Sequence, residues 1–254
     1  MELDLNSQAL TREAEGFPLI AAIDNAILAK QAEQKPREYL GGSYVGDECE
    51  RAIQYQFTLT EKDYGKDFPP HVLRIFERGH VMEDMAAQWL RLSGLILKTE
   101  GNDGRQFGFQ AAGGRFKGHA DGVIVGWSGE GDAPVKFPAL WENKAVNSKT
   151  FEKLKRSGVQ KIKPIYYGQV ALYQYHLGLT ENPAVFTFIN ADTMELGVEL
   201  IKFDAAECQR LIDRAARVIQ ATDAGELLPR MAGDPDHFQC RWCSYAARCW
   251  GSAP

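Results

Sequence analysis

The sequence lacks the features that would place the protein in a membrane or outside the cell. No apolar run approaches the roughly 18 to 20 residues that a bilayer-spanning helix needs. The opening residues, MELDLNSQALTREAEGF, are acidic and polar rather than typical of a signal sequence. Internal repeats and low-complexity segments are also missing. The sequence therefore predicts a cytoplasmic globular protein with no membrane partner.

An overall excess of basic residues is likewise missing, because the 254 residues carry a formal net charge of -5. The net charge alone does not suggest a nucleic-acid partner, but its distribution does. Seven Lys and Arg residues stand against one acid between Lys144 and Lys163. A local positive segment in an acidic chain is compatible with a polyanionic ligand. The alternative interpretation is a solvated helix face.

The sequence does contain a regular series of helix and strand patterns. The periodicity predicts helices over residues 19–34, 47–57, 70–92, 148–157, 164–177 and 204–222. It predicts strands over residues 95–100, 105–111, 116–127, 138–146, 184–190 and 195–203. A group of strands with helices before and after it predicts an α/β fold with a central mixed β-sheet flanked by helices.

Two charged residues interrupt the apolar strand pattern LWENKAV, residues 140 to 146. Glu142 and Lys144 are two apart and share one face of a strand, whereas Asn143 points to the other face. A buried charge is costly unless it is paired or binds a metal, and a lone buried ion pair adds little stability. Asp121 lies on the neighbouring predicted strand, so it and Glu142 supply two carboxylates that could share one Mg²⁺ ion.

Three further polar residues lie on predicted helix faces. Glu83 falls among apolar and small residues of the helix 70–92, one turn after Gly79. Its alternative role is an ion pair with an arginine across a groove. Gln169 and Tyr173 are four apart and share a face of the helix 164–177, although a Tyr at this spacing is ordinarily a core residue.

These residues form four ordered motifs: Gly79-x-x-x-Glu83, Gly118-x-x-Asp121, Glu142-x-Lys144 and Gln169-x-x-x-Tyr173. Each motif is weak alone, but the ordered set resembles that of RecB-type nucleases of the PD-(D/E)XK superfamily. The resemblance implies a restriction-endonuclease-like core and metal-dependent hydrolysis of DNA. The first motif of that family more often carries His, so His80 stands beside Glu83 as an alternative metal ligand.

The resemblance also implies roles for individual residues. One or two Mg²⁺ or Mn²⁺ ions would be held by Asp121, Glu142 and the backbone carbonyl of Asn143, with Glu83 assisting. Lys144 would orient or help to deprotonate the attacking water and offset charge on the phosphoryl oxygens. Catalytic motif residues expected to position the DNA strand are Gln169 and Tyr173. Residues expected to contact phosphates without reading bases are Lys149, Lys153, Lys155 and Arg156.

Four of the five cysteines form a second pattern. Cys49 lies upstream of the motifs, and Cys240, Cys243 and Cys249 form C-x2-C-x5-C downstream. In a cytoplasmic chain this spacing favours a metal over disulfides, either a [4Fe–4S] cluster or tetrahedral zinc. The bound metal would be a staple that joins the N- and C-terminal segments and closes a long loop. Cys208 lies on an apolar helix face and is predicted to be a core residue.

The order of one cysteine before and three after the nuclease motifs resembles a branch of the same family. This branch is that of the iron–sulfur RecB-type nucleases, which include AddB-type repair nucleases and CRISPR-associated exonucleases. The stretch Cys49-Glu50-Arg51 resembles their Cys-Pro-Arg, with Glu in place of Pro. The resemblance implies an exonuclease of DNA recombination, repair or phage DNA processing, for which a helicase or recombination protein is a conceivable partner.

The resemblance predicts a single nuclease domain over residues 1–254. Residues 1–69 form its N-terminal helical part with Cys49, residues 70–203 the PD-(D/E)XK core, and residues 204–254 the C-terminal helix and cysteine-rich tail. Two other functions stay open: a non-catalytic nucleic-acid-binding protein with a structural four-cysteine metal site, and a DNA endonuclease of the same fold. The intact acids and lysine argue against the first, and the little room for a recognition domain argues against the second.

Overall fold

The structure, a computed structural model, describes residues 17–251. Its helices are α1 (Pro18–Ala32), α2 (Glu50–Phe57), α3 (Pro70–Leu92), α4 (Ser148–Ile162), α5 (Pro164–His176), α6 (Ala205–Asp223), α7 (Phe238–Arg241) and α8 (Ala246–Trp250). Its strands are β1 (Leu40–Gly41), β2 (Leu95–Lys98), β3 (Gly108–Ala111), β4 (Phe116–His119), β5 (Gly122–Trp127), β6 (Ala139–Val146), β7 (Ala184–Asn190) and β8 (Leu196–Ile201). A 3₁₀ turn (Ala112–Gly114) joins β3 to β4.

Most other predicted elements have ends shifted by no more than three residues, but two predicted elements differ more from the observed ones. The strand predicted over 116–127 is divided into β4 and β5 at Ala120 and Asp121. Helix α4 continues past the predicted end at 157, because Gly158 has a φ of 75° and lets the chain kink before the helix resumes. The resumed turn is stabilised by Glu199, whose carboxylate accepts a hydrogen bond of 2.8 Å from the backbone N–H of Val159.

Five strands form a mixed sheet in the order β2-β5-β6-β7-β8. Strands β6 and β7 are parallel, and the other neighbours are antiparallel. A second sheet, β1-β4-β3, was not among the sequence expectations. The chain leaves this smaller sheet at the end of β4 and enters the larger sheet at β5, so Asp121 lies at the passage between them.

Helices pack on both faces of the five-stranded sheet. On one face, Leu140 and Phe188 join a buried cluster with residues of α4, α5 and α6. On the other face, Trp141 and Ile189 join a cluster with residues of α3. This arrangement confirms the predicted α/β fold with a mixed sheet flanked by helices. Cys208 is buried within α6 as predicted, whereas the predicted metal staple is not established by the fold.

The chain divides into two compact units. The smaller unit holds residues up to 36 together with 68–77, and the larger unit holds 37–67 and the chain from 78 onward. Within the smaller unit, α1 is joined to the start of α3 by ion pairs of Arg74 with Asp24 and of Lys30 with Glu77. All the site residues considered below belong to the larger unit. Among the described residues, none of the helices is both long enough and apolar enough to cross a bilayer.

Candidate active site and cysteine cavity

Glu142 and Lys144 project from the same face of β6, as the strand period predicts. The Lys144 Nζ atom donates a hydrogen bond of 2.6 Å to Glu142 Oε1. The Glu142 side chain is fully buried, whereas 22% of the Lys144 side-chain surface is exposed. The pair is therefore open to solvent on the lysine side only.

Asp121 reaches this pair from the start of β5, the antiparallel neighbour of β6. Its Oδ2 atom accepts a hydrogen bond of 2.8 Å from the backbone N–H of Asn143 and lies 3.9 Å from Lys144 Nζ. The preceding carbonyl, that of Ala120, accepts a hydrogen bond of 3.1 Å from Gln106 Nε2. The break between the two sheets thus fixes the Asp121 carboxylate beside Glu142 and Lys144.

Glu83 supplies a third carboxylate from α3. It lines a cavity of about 440 Å³ together with Asp121, Trp141 and His80. Burial, then the charge of Asp121, raises the pKa of Glu83 to about 7, although Lys144 opposes this shift. His80 is exposed and lies at the same cavity. Glu83 and His80, the two candidate metal ligands of the first motif, therefore line the same cavity.

Gln169 and Tyr173 are buried next to the acid cluster. Gln169 Nε2 donates a hydrogen bond of 2.5 Å to Glu142 Oε1, and the Gln169 side chain also bonds Tyr173. Both residues are buried. The Tyr173 ring packs so closely on Gly118 that an added Cβ there would lie 2.5 Å from it. The second and fourth sequence motifs are thus in direct contact, and Gly118 is needed for that contact.

A buried hydrogen-bond chain on the opposite face of β6 was missed by sequence reasoning. Trp141 Nε1 donates to Thr187 Oγ1 over 2.9 Å, and Thr187 Oγ1 donates to Asn143 Oδ1 over 2.8 Å. Thr187 lies on β7, where it is the register partner of Asn143. This chain orients the Asn143 residue whose N–H binds Asp121. The only sequence signal was a Thr in an otherwise apolar strand.

Tyr166 was also missed. Its ring centre lies 5.6 Å from Lys144 Nζ and 5.8 Å from Lys163 Nζ, distances at which the ring attracts both ammonium groups. The residue occupies the first turn of α5, ahead of the Gln169 motif. Its side chain thus connects the site lysine with the end of the basic segment.

The site holds more carboxylates than ammonium groups. Burial raises the pKa of Glu142, and repulsion by Asp121 raises it further against the opposing effect of Lys144. Burial by itself would lower the pKa of Lys144, but attraction to Glu142 and Asp121 outweighs it and the net shift is upward. The Glu142 Oε2 atom is buried without a hydrogen-bond partner in the described part of the chain. An unpaired buried oxygen among excess carboxylates is the donor set that a divalent cation would complete.

The four basic residues predicted to contact phosphates lie on α4, and all four are exposed. Asn147 caps this helix by accepting a hydrogen bond of 2.9 Å from the N–H of Thr150. Lys155 is the one of the four that pairs with a nearby acid, Glu152, at 3.7 Å.

The four motif cysteines line one cavity of about 520 Å³, although the chain separates them widely. Its walls are otherwise mainly apolar and aromatic, and the cysteines that line it are Cys49, Cys240, Cys243 and Cys249. Burial raises the pKa of Cys49 and of Cys243, and the other three thiols add to the rise at Cys243. Arg51 Nη1 lies 3.7 Å from Cys249 Sγ as a hydrogen-bond donor. Four thiols and a guanidinium donor are chemically suited to an iron–sulfur cluster or zinc.

Among the residues that the structure describes, neither the acids nor the cysteines converge on one point as the ligands of a metal ion do. Across residues 17–251, no three His, Cys, Asp or Glu side chains are arranged closely enough to hold a metal ion. The acids and the cysteines therefore have the composition of metal sites without the convergence of one.

Comparison with known proteins bears on the fold. No protein-family model matches the chain, and the search of curated proteins gave no match. Among solved structures, the "Crystal structure of SSO0001" matches with a TM-score of 0.51 and 14% identity over 94% of this chain and 99% of that chain. An alkaline exonuclease (LHK-Exo) from Laribacter hongkongensis matches with a TM-score of 0.50 and 17% identity over 81% and 93%. The complex of this exonuclease with dAMP matches with a TM-score of 0.50 and 18% identity over 74% of this chain and 89% of that chain.

The chain shares its fold with an alkaline exonuclease. The α/β architecture is thus compatible with the predicted restriction-endonuclease-like core of the PD-(D/E)XK type. Identities of 14 to 18% establish a likeness of fold alone. The activity must therefore be argued from the side chains of the site.

Proposed function

We propose that this protein is a Mg²⁺- or Mn²⁺-dependent DNA nuclease, and specifically an exonuclease. The observation that carries the proposal is the contact of Asp121, Glu142 and Lys144 across two adjacent strands, with a buried Glu142 oxygen left unpaired. An ion pair kept only for stability would not need a second buried carboxylate. The likeness of fold to an alkaline exonuclease supports the same class of reaction.

In this proposal, Asp121 and Glu142 hold the cation with the backbone carbonyl of Asn143, and either Glu83 or His80 assists. A bound divalent cation supplies Lewis-acid polarisation of the scissile phosphate and a lower pKa for bound water. Lys144, exposed on one side, holds and orients the attacking water and neutralises charge that develops on the phosphoryl oxygens.

Gln169 and Tyr173 act as positioning residues. Because both are buried, they fix the Glu142 carboxylate through the 2.5 Å hydrogen bond from Gln169 instead of touching the DNA strand that the resemblance assigns to them. Contact with the phosphates falls to the exposed side chains of α4, namely Lys149, Lys153, Lys155 and Arg156.

The four motif cysteines are proposed to bind a [4Fe–4S] cluster, with zinc as the alternative because both accept four thiolates. The shared cavity supports this assignment. The proposed nuclease core then spans residues 70–203, and the flanking segments supply the cysteines of the staple. The AddB-like branch, a role in recombination, repair or phage DNA processing, and a helicase or recombination partner belong to the same proposal.

The test is cleavage of end-labelled linear DNA and of circular DNA, each single- and double-stranded, with Mg²⁺ or Mn²⁺. Wild type should degrade linear substrates only. Lys144→Ala should bind DNA but cleave on the order of 10² to 10³ times more slowly, as does removal of one electrostatic stabiliser elsewhere. Lys202→Ala is the matched control, because Lys202 is an exposed lysine just after β8.

The outcomes separate the alternatives. Cutting of circles would identify an endonuclease. Wild-type binding without any cleavage, in anaerobically purified and metal-supplemented protein, would favour the non-catalytic binding protein. Equal cleavage by wild type and Lys144→Ala would contradict the role assigned to the lysine.

A further inference from the structure

Two aromatic rings at the cysteine cavity are mostly exposed. Phe238 and Trp242 both line this cavity, yet they are 68% and 76% exposed, so they lie at its rim. They are four residues apart, at the first residue of α7 and just after its last, a spacing that places side chains on one side of a helical turn.

These rings contribute little to the packing of the tail. That role belongs to Tyr245, which is 6% exposed and whose ring centre lies 5.2 Å from that of Tyr55. Exposed aromatic rings of this size keep apolar surface in contact with water. Their exposure therefore leaves flat apolar faces accessible to a ligand.

Two basic residues lie at the same cavity. Lys163 and Arg230 line it with the two rings, and the Arg230 guanidinium also donates hydrogen bonds of 3.0 and 2.7 Å to the carbonyl of Cys249. Two acids also line the cavity and keep their charge: Asp47 accepts a 2.9 Å hydrogen bond from the N–H of Cys49, and Glu48 accepts one from Gln239. Cations beside exposed rings suit a ligand that combines phosphates with aromatic bases.

The rim is also connected to the proposed active site. Lys163 and Lys144 lie 5.8 and 5.6 Å from the centre of the one Tyr166 ring. A strand whose phosphates reach Lys144 could therefore continue past Lys163 to the rim. The basic edge of the cavity and the catalytic lysine are separated by a single side chain.

We propose that Phe238 and Trp242 form a stacking platform for the bases of single-stranded DNA, with Lys163 and Arg230 binding the adjoining phosphates. The inference rests on the proposed nuclease function and names the form of DNA that the site accepts. Unpaired bases have free faces for such stacking, whereas bases in a duplex are already stacked on one another. Stacking accepts every base, so no sequence preference is expected.

The experiment measures binding of the metal-loaded protein to fluorescent oligothymidylate, and to an abasic oligomer of the same length, by anisotropy at several salt concentrations. Cleavage is blocked by Lys144→Ala in every variant compared. Phe238→Ala and Trp242→Ala should each weaken oligothymidylate binding roughly five- to a hundredfold and leave abasic binding unchanged. Trp242→Tyr should retain binding. Tyr64→Ala is the control, because Tyr64 is 97% exposed but lines neither cavity.

Salt dependence provides a second readout. Lys163→Gln should reduce the slope of log K against log salt by about 0.7, the value for one phosphate of a single strand. The aromatic variants should keep the wild-type slope, since stacking releases no counterions. Unchanged binding in the aromatic variants, or an equal loss for the abasic oligomer, would overturn the platform.

Failure of the platform and failure of the nuclease proposal are distinguishable. Hydrolysis of a small chromogenic phosphodiester tests the chemistry without base stacking. Wild type, with Lys144 intact, should hydrolyse this substrate in the presence of Mg²⁺ or Mn²⁺. One outcome is that the protein hydrolyses this substrate while Trp242→Ala leaves oligothymidylate binding unaltered. That result would overturn the platform, and the nuclease proposal would stand.

Discussion

The side chains of the acid cluster and those of the cysteine cavity are carried by very different structures. Asp121, Glu142 and Lys144 stand at the passage into β5 and on β6, where strand register and direct hydrogen bonds fix them. The cysteines lie just before α2 and in a tail whose helices α7 and α8 span four and five residues. Among the described residues, the cluster beside them has three buried members, namely Ala52, Tyr55 and Tyr245.

This contrast indicates how each site depends on its ligand. Strand register and hydrogen bonds bring Asp121 and Glu142 to Lys144 even though repulsion between the carboxylates opposes it. The cysteine tail has little buried surface of its own, and helices of one turn are not stable alone. We therefore expect ligand binding to set activity at the first site and to set local stability at the second.

The largest effect is expected from Glu142→Gln, which should lower cleavage by at least about 10² to 10³. The free energy of unfolding should stay equal or rise, because the substitution removes a buried carboxylate from an excess of negative charge and leaves Asp121 at 3.9 Å from Lys144. Thermal melts and cleavage rates measure the two effects. Glu199→Gln is the matched control, a carboxylate of the same sheet whose partner is Val159 on α4. A large loss of stability in Glu142→Gln would show that the acid is there to hold the fold.

A smaller effect, on stability instead of chemistry, is expected from Cys240→Ala. A ligand held at about a hundred times its Kd stabilises the native state by roughly 2.7 kcal/mol, and the variant should lose a contribution of this order. Metal analysis of anaerobically purified protein, melting temperature and limited proteolysis of the tail measure the loss. Cys208→Ala is the control: Cys208 is also buried but lies in α6, outside the cavity. A Cys240→Ala protein with full stability and full metal content would contradict the staple.

The same contrast explains how far the sequence could predict the structure. Helix α3 and strand β7 were predicted with their observed ends because Pro69 and Gly94 bound the helix and Pro183 precedes the strand. The neighbouring positions of Asp121 and Glu142 followed from strand order. The second sheet did not, since β1 has two residues and carries no periodic pattern. Nor did the bond from Thr187 to Asn143, because it depends on the register of a parallel pair that no local signal encodes.

The smallest expected effect concerns the pH dependence of the acid cluster in metal-free protein. Burial and Asp121 raise the pKa of Glu83 from its ordinary value of 4.5 to about 7. Between these values the folded state binds more protons at Glu83 than the unfolded state, so the contribution of Glu83 to stability falls as pH rises through this window and levels off above it. Melts of wild type in chelator should therefore decline by a few degrees from about pH 5 to pH 7.5, and Glu83→Gln should decline less. Glu100→Gln, which replaces an exposed carboxylate on the same cavity wall, should follow wild type.

Adding Mg²⁺ sharpens this last test. Ionised carboxylates bind the cation, so saturating Mg²⁺ should raise the melting temperature most at the alkaline end and remove the decline. At the cysteine cavity, the thiols proposed to coordinate iron or zinc would take no part in this oxygen-ligand equilibrium, and Cys240→Ala should respond to Mg²⁺ as wild type does. A Mg²⁺ response lost in Cys240→Ala and kept in Glu83→Gln would mean that the two regions are not independent. The assembly of the acid cluster would then depend on the cysteine tail, against the view that the sheet alone builds it.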